Sequence, residues 1–296
     1  NEQNPSEEKV VVAGGRSGDA LRVGSLPLDK KESPFQKLLD VFLPNRVVSA
    51  NTLRLIIAVQ VAIFLGLWLN SPFEVLPKPN EVLEALQNLW LKQGLGPELI
   101  TSFKVNLEAL GLTLVISLIF SYLTVLPFFR PIAAAISKGR FLSLAGFTLI
   151  FTLLVGGGHP LKLSLLVFGM TVFFVTSMVS VIAEIPKEAY DHARTLRMSE
   201  WRVVWEIVVI GTGDKVFEVL RQNAAIGWMM LTMVEGISRS EGGVGAMLLN
   251  QNKYFKIPEV FAIQLAILLV GLFQDYLIGV LRRIVCPYAH LTLERA

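Results

Sequence analysis

The chain has 296 residues, of which 53% are hydrophobic and 17% are charged, and its formal net charge is +3. Soluble domains carry about a quarter charged residues, so this balance favours a membrane protein. The basic residues lie between long apolar blocks and form no single patch, which argues against a nucleic-acid-binding surface. One cysteine excludes an internal disulfide, and the three histidines lack the spacing of metal ligands.

The first segment, residues 1–45, is polar and mixed in charge and contains Gly-Gly, Ser-Gly and several prolines. This composition is typical of a disordered tail, although residues 9–13 could instead pair as a strand on a partner. The tail has no short apolar core followed by small residues, so we expect no cleavable signal peptide. The first membrane helix would then act as the insertion signal.

Six apolar blocks follow, and most approach the roughly 20 helical residues that cross a hydrocarbon core of about 30 Å. They are residues 55–69, 110–129, 141–158, 163–183, 216–234 and 260–281. A Gly-Gly-Gly-His-Pro turn signal makes the third and fourth blocks a helical hairpin. The fifth block carries Glu218 and Arg221, which favours a helix that faces protein or a water-filled path. We predict an all-α polytopic membrane protein with about six transmembrane helices.

Lysine and arginine are more frequent in the loops after the second, fourth and sixth blocks than in the other loops. The positive-inside rule then places both termini in the cytoplasm. The predicted organisation is a cytoplasmic tail at 1–45, a transmembrane domain at 46–288 and a cytoplasmic C-terminal tail at 289–296. The loop 184–212 would face the cytoplasm.

This loop is charged and has a helical pattern. Pro186 stands where a helix would begin, and Glu188 and Asp191 occupy its first turn, where the helix dipole favours acids. Small and apolar residues recur at spacings of three and four and predict one ridge, which we assign to Ala189, Ala193 and Leu196, continued by Met198 and Trp201. Such a ridge is suited to a groove on another protein.

The run Asp191-His-Ala-Arg-Thr-Leu-Arg-Met-Ser199, followed by Trp201, Trp205 and Ile207-Val-Val-Ile210, resembles the EAA cytoplasmic loop of binding-protein-dependent ABC importer permeases. Asp191, His192 and Ala193 fall on the first three motif positions, Arg197 on the motif glycine, and Ile207, Val209 and Ile210 on the closing residues. Ile210 replaces the motif proline. Arg197 implies a differently shaped turn or a contact with an acidic partner, because glycine would turn tightly there.

Other stretches are similar to the nitrate/sulfonate/taurine branch of these permeases. They are Leu-Pro-Lys-Pro-Asn-Glu-Val-Leu at 76–83, Glu235, Gly243-x-Gly245, and residues 260–283. The resemblance implies a type I ABC importer permease fold in a bacterial inner membrane. It also implies that residues 188–199 form a coupling helix that docks on an ATPase subunit through Glu188, Ala189, Asp191, His192, Ala193, Leu196, Arg197, Met198, Ser199 and Trp201. The alternative is a membrane-surface helix that packs only on its own spans.

No G-x-x-x-x-G-K-[ST] phosphate loop is present, because Gly211-Thr-Gly-Asp-Lys215 is too short and Gly14-Gly-Arg-Ser-Gly18 lacks the lysine. We therefore expect no catalytic site and no cofactor in this chain, with ATP and magnesium bound by a partner ATPase. The further partners implied are a second permease copy or paralogue, an extracytoplasmic substrate-binding protein and the lipid bilayer.

Polar side chains in the apolar helices are the candidates to line a translocation pathway: Asn106, Thr113, Ser117, Thr176, Gln222, Asn223, Thr232 and Glu235. The hydroxyls among them could instead bond to their own helix backbone. Arg221 could attract an anion such as nitrate, bicarbonate or a sulfonate, or pair with Glu218. The resulting hypothesis is an importer permease for a small anion. The alternatives are a transport-inactive relative that acts as a scaffold or regulator, and a membrane-embedded enzyme.

Overall fold

The computed structural model describes residues 50–70, 76–238 and 241–287. The predictions for the tails at 1–45 and 289–296, and for a strand at 9–13, lie outside these residues. The chain divides into two units, Asn1–Gly66 and Leu67–Ala296. Helix α1, Ala50–Leu69, begins in the first unit and carries no charge after Arg54, so its length and composition suit a membrane span.

The described part of the second unit contains helices and turns and no strand. The α-helices are α2 (Pro79–Lys92), α3 (Leu95–Leu123), α4 (Arg130–Lys138), α5 (Leu144–Val155), α6 (His159–Ala183), α7 (Lys187–Thr195), α8 (Glu200–Val203), α9 (Gly213–Ile237), α10 (Val244–Lys253) and α11 (Ile257–Val285). Short 3-10 helices at Pro127–Phe129 and Gly139–Phe141 flank α4, and a π-helix at Val204–Ile210 follows α8. The all-α prediction is confirmed.

Four of these helices are long and apolar enough to cross a membrane: α1, α3, α6 and α11. A fifth span exists if Pro127–Phe141 and Leu144–Val155 are counted together, although the two segments are bent by 113°. The predicted fifth block, 216–234, is the 25-residue helix α9, which is long enough but too polar to pass as a span by composition. The charged residues in its first half are Asp214, Lys215, Glu218 and Arg221. They lower the hydropathy of the helix, so length and composition identify fewer spans than the predicted six.

Several predicted bounds were wrong. The block 110–129 belongs to a helix that begins 15 residues earlier, at Leu95, and ends at Leu123. The sequence hid this start because Glu98, Lys104 and Glu108 interrupt its apolar pattern. The block 141–158 gives only the 12-residue helix α5. The predicted hairpin between α5 and α6 is present, and Gly156 and Gly158 provide its turn with φ values of 82° and 77°.

The core of the second unit is formed by α3, α6 and α9, with α11 packed on α9 and on α2. Its largest buried apolar side chains include Phe174, Met170 and Leu231. In lipid, helices associate through close packing, and small residues allow their backbones to approach. Ala109 and Ser117 on α3 and Gly169 on α6 are fully buried or nearly so and serve this purpose.

Candidate functional site

The 184–212 loop contains two short helices in place of the predicted continuous helix. Helix α7 ends at Thr195, and α8 begins at Glu200. The turn between them is a Schellman motif, because Met198 N–H donates to the Ala193 carbonyl at 3.3 Å and Arg197 N–H to the Arg194 carbonyl at 2.9 Å. Arg197 has a φ of 55°, the left-handed conformation that glycine favours at this position. The expected change in turn shape was wrong, since Arg197 keeps the tight turn.

The predicted ridge is only partly exposed. Ala193 is buried, with 2% of its surface accessible, so it packs inside the chain and cannot face a partner. Ala189 and Met198 are half-buried, and the other predicted coupling residues are exposed: Glu188, Asp191, His192, Leu196, Arg197, Ser199 and Trp201. Leu196, Trp201 and Trp205 are 60%, 72% and 60% exposed and are the most exposed large apolar side chains of this loop; we call them its exposed apolar surface.

Ion pairs connect the two short helices. The Arg194 guanidinium donates to both carboxylate oxygens of Glu200, at 3.1 Å and 3.3 Å, and to Asp191 at 3.4 Å. The hydrogen bond to Glu200 is the main reason that the pKa of Arg194 lies above its ordinary value. These groups are exposed, so the pairs orient α7 and α8 more than they stabilise them.

Most of the predicted pathway residues are buried inside the subunit. Ser102, Asn106, Thr113, Ser117 and Ser121 follow one face of α3 and are all fully buried. Asn223 and Glu235 on α9 are buried as well, Thr176 and Thr232 are half-buried, and Gln222 is exposed. An accessible pathway surface in this structure therefore includes Gln222 but none of the buried residues.

The alternative for the hydroxyls, a bond to their own helix, is confirmed for Thr176 and Thr232. Thr176 donates to the Val172 carbonyl at 2.7 Å and Thr232 to the Met229 carbonyl at 2.9 Å. It is wrong for Thr113 and Ser117, whose hydroxyls have no hydrogen-bond partner among the described residues. The buried hydroxyl groups of α3 point into the helix bundle. They form a polar strip in an otherwise apolar interior.

Arg221 makes a contact that the sequence did not reveal. Its guanidinium donates from Nε to Asp275 Oδ1 at 2.7 Å and from Nη2 to Oδ2 at 2.5 Å. Glu218 contacts Lys215 instead, at 3.6 Å. Both predicted roles of Arg221, a pair with Glu218 and a free site for an anion, were therefore wrong in this structure. The partner on α11 is 54 residues away along the chain, beyond the reach of local pattern.

A second buried network joins α3, α9 and α11. Gln274 Oε1 accepts a hydrogen bond from Asn106 Nδ2 at 3.1 Å and another from Trp228 Nε1 at 2.8 Å. Gln274 and Asn106 are both almost completely buried. The predicted pathway residue Asn106 thus serves here as a contact between helices.

Glu235 anchors the loop before α10. Ser102 Oγ donates to the Glu235 carboxylate at 2.7 Å and 2.9 Å, and Gly245 N–H donates to it at 2.8 Å. Ser102 Oγ in turn accepts from Val244 N–H at 2.8 Å. Glu235 therefore caps the first turn of α10, where the helix dipole favours a carboxylate. We call Glu235, Ser102 and the Val244 and Gly245 amides the Glu235 clamp.

Two further groups hold the same loop. The buried Lys162 ammonium on α6 donates to the Gly242 carbonyl at 2.7 Å, and Gly243 N–H donates to Glu98. Gly243 has a φ of 106°, and a Cβ there would meet the Glu235 carboxyl group. Sequence reasoning named Glu235 and Gly243 but missed Ser102 and Lys162, because nothing local connects residues more than 70 positions apart.

Groups of three or more His, Cys, Asp or Glu side chains that could hold a metal ion do not occur among residues 50–70, 76–238 and 241–287. The arrangement provides a polar, anchored loop at one end of the bundle and an exposed apolar surface in a charged loop at the other. Membrane-spanning helices connect the anchored loop to the exposed apolar surface.

Comparison with curated proteins gave no match. The family model for the binding-protein-dependent transport system inner membrane component matches residues 109–285, from the middle of α3 to the end of α11. This range is more than half of the 296 residues and includes the whole of the 184–212 loop and Glu235. The chain therefore belongs to the family of binding-protein-dependent transport system inner membrane components, the permease subunits of ABC importers.

Proposed function

We propose that this permease subunit forms part of the translocation pathway of an ATP-driven importer and docks on a separate ATPase subunit through the 184–212 loop. The observation that carries the proposal is the exposed apolar surface of Leu196, Trp201 and Trp205. Exposed tryptophans on a loop rimmed by ionic groups are typical of interface hot spots. Burying them in a groove of another subunit removes that apolar area from water.

The ion pairs of Arg194 support the same proposal. They orient α8 relative to α7, and the buried Ala193 shows that α7 packs against other parts of the chain. An element held in this way suits the transfer of ATP-driven motion to the membrane helices. ATP and magnesium would be bound by the partner subunit.

The pathway would lie between this chain and a second copy or a paralogue. Gln222, Ala225 and Met229 are exposed on α9 at spacings of three and four, so they share one face of a helix that is too polar to face lipid alone. This face is the proposed lining. Asn106, Thr113, Ser117, Asn223 and Glu235 would support it from behind.

The proposed substrate is a small anion such as nitrate, bicarbonate or a sulfonate, delivered by an extracytoplasmic binding protein. The support is the similarity of residues 76–83 and of the Glu235 to Gly245 region to the nitrate/sulfonate/taurine branch. Arg221 adds no support, because Asp275 neutralises its charge. The bacterial inner membrane, with both termini in the cytoplasm, is the proposed location.

The test is Trp201→Glu, with co-purification of the ATPase subunit from membranes as the measurement. The substitution removes a 72% exposed aromatic side chain and places a charge in the proposed groove. We expect recovery of the ATPase to fall by more than about tenfold, since hot-spot residues contribute roughly 2 kcal/mol or more. The matched control is Leu91→Glu. Leu91 is an 80% exposed apolar residue on α2, and α2 precedes the start of α3, at the end of the bundle opposite the 184–212 loop. Equal recovery with both variants would contradict the docking proposal.

A further inference from the structure

The segment Pro127–Phe141, between α3 and α5, is cationic and carries exposed aromatic side chains. Arg130, Lys138 and Arg140 are exposed, and Phe128 and Phe141 are 75% and 79% exposed. No Asp or Glu occurs in the sequence between Glu108 and Glu184. None of the three cations forms an ion pair with a described carboxylate. Arg140 lies over the Phe141 ring, 5.2 Å from its centroid. Within the described residues, the segment thus combines positive charge that no carboxylate neutralises with apolar surface.

A cavity of about 450 Å³ opens beside this segment, at the ends of α3 and α6. Its polar side is formed by Arg130 and by Tyr190 on α7, and its apolar side by Val125, Val179, Ile182 and Ile185. Glu184 and Glu188 are exposed nearby but do not line the cavity. The lining therefore combines groups that suit a negative charge with side chains that suit a hydrocarbon chain.

The cavity lies at the C-terminal end of α6, next to the charged loop 184–212. Helix α6 has 25 residues and is about 37 Å long at 1.5 Å per residue, longer than a hydrocarbon core of about 30 Å. Its last turn, which includes Ile182, is followed by Glu184, Lys187 and Glu188, and charged residues of this kind belong in the polar region of the bilayer. Pro127–Phe141 and α5 are bent by 113° relative to each other, so the cationic segment does not continue in the direction of α5. This geometry is typical of a segment in the membrane interface.

The Arg130 guanidinium is held in place without being neutralised. Its Nε donates to the Thr124 carbonyl at 3.2 Å, at the end of α3, which leaves its two Nη groups to donate elsewhere. A phosphate accepts such paired donors well. The phenol of Tyr190 can donate to the same phosphate.

We propose that the cavity between Arg130 and Tyr190 binds the headgroup of an anionic phospholipid, with one acyl chain along its apolar side chains. The phosphate accepts from Arg130 and Tyr190, while Lys138 and Arg140 attract the anionic surface around it. Because Tyr190 lies on α7, the lipid contacts both a membrane span and the exposed loop. This proposal concerns lipid binding and is independent of substrate and of ATPase docking.

The experiment measures retention of dioleoylphosphatidylglycerol by the purified full chain in detergent, by native mass spectrometry, with dioleoylphosphatidylcholine as the neutral lipid. We expect the wild type to retain phosphatidylglycerol in preference to phosphatidylcholine. Arg130→Gln, which still has a donor for the Thr124 carbonyl, should lower the retained phosphatidylglycerol about tenfold, as expected for a hydrogen bond to a charged group. Tyr190→Phe, which removes a hydrogen bond to the same charged phosphate, should also lower it about tenfold.

The matched control is Arg202→Gln, an exposed arginine of the same loop that lies outside the cavity, and it should retain phosphatidylglycerol like the wild type. Equal retention by Tyr190→Phe, Arg130→Gln and the control would overturn the proposal. Equal retention of the two lipids by the wild type would overturn it as well. Displacement of phosphatidylglycerol by millimolar inorganic phosphate would show a site for soluble anions and would also overturn it.

Discussion

The Glu235 clamp gives the sharpest structural prediction, through the substitution Glu235→Ala. Glu235 is fully buried and accepts hydrogen bonds from Ser102 Oγ and from Gly245 N–H. Alanine removes the carboxylate and leaves the Ser102 O–H and the Gly245 N–H buried without an acceptor. The Val244 amide keeps its bond to Ser102, so the loss is confined to two donors.

The magnitude follows from these two donors. A buried donor that loses its partner costs about 1–3 kcal/mol. Two such donors give roughly 4 kcal/mol, which is at the upper end of the effects of single substitutions. If α10 opens locally, a change of this size accelerates amide exchange in that helix by up to about a thousandfold.

Hydrogen–deuterium exchange of the purified chain in detergent measures the effect in peptides that cover residues 241–253. The control is Glu241→Gln, an exposed acid in the same loop, which should change exchange by less than about threefold because surface substitutions cost within about 0.5 kcal/mol. We expect faster exchange of α10 in Glu235→Ala and unchanged exchange in α6. If Glu235→Ala and Glu241→Gln give the same exchange rates, the clamp does not anchor α10.

Two further substitutions test backbone geometry. Gly243→Ala should accelerate exchange of α10 nearly as much as Glu235→Ala, because its Cβ would meet the Glu235 carboxyl group at a φ of 106°; exchange equal to the wild type would refute this. Arg197→Gly should slow exchange at the end of α7, since an arginine at a φ of 55° costs about 1 kcal/mol that glycine does not incur. Faster exchange in that variant would show that the Arg197 side chain, and not its backbone, stabilises the turn.

The sequence identified the membrane spans because long uncharged runs have one physical explanation. The run 163–183 was placed to within four residues of α6, since lipid excludes charge along its whole length. The same reasoning missed the start of α3. Glu98 and Lys104 lie in the first turns of this helix, which is longer than the hydrocarbon core of a bilayer. The predicted span at α9 is long enough to cross a membrane but carries Lys215, Glu218 and Arg221 in its first half, so its composition alone does not identify it as a span.

The candidate site was less predictable because its contacts join distant parts of the chain. Helical spacing placed Ala193 and Leu196 on one ridge, but the Schellman turn after Thr195 buries Ala193 and exposes Leu196. The sequence offered its neighbour Glu218 as the ionic partner of Arg221, whereas the partner in the structure is Asp275 on α11. Such pairs form where two helices pack against each other. The periodic pattern of one helix does not show which residues of another helix it contacts.

Recovery of the tagged full-length chain from native membranes, with quantification of every co-purified subunit, tests the central claim most directly. The claim is that this permease subunit works in a complex with a separate ATPase and has no ATP site of its own. The account predicts a nucleotide-hydrolysing subunit in stoichiometric amount and its reduced recovery with Trp201→Glu. Recovery of the chain without any nucleotide-hydrolysing subunit would contradict the account.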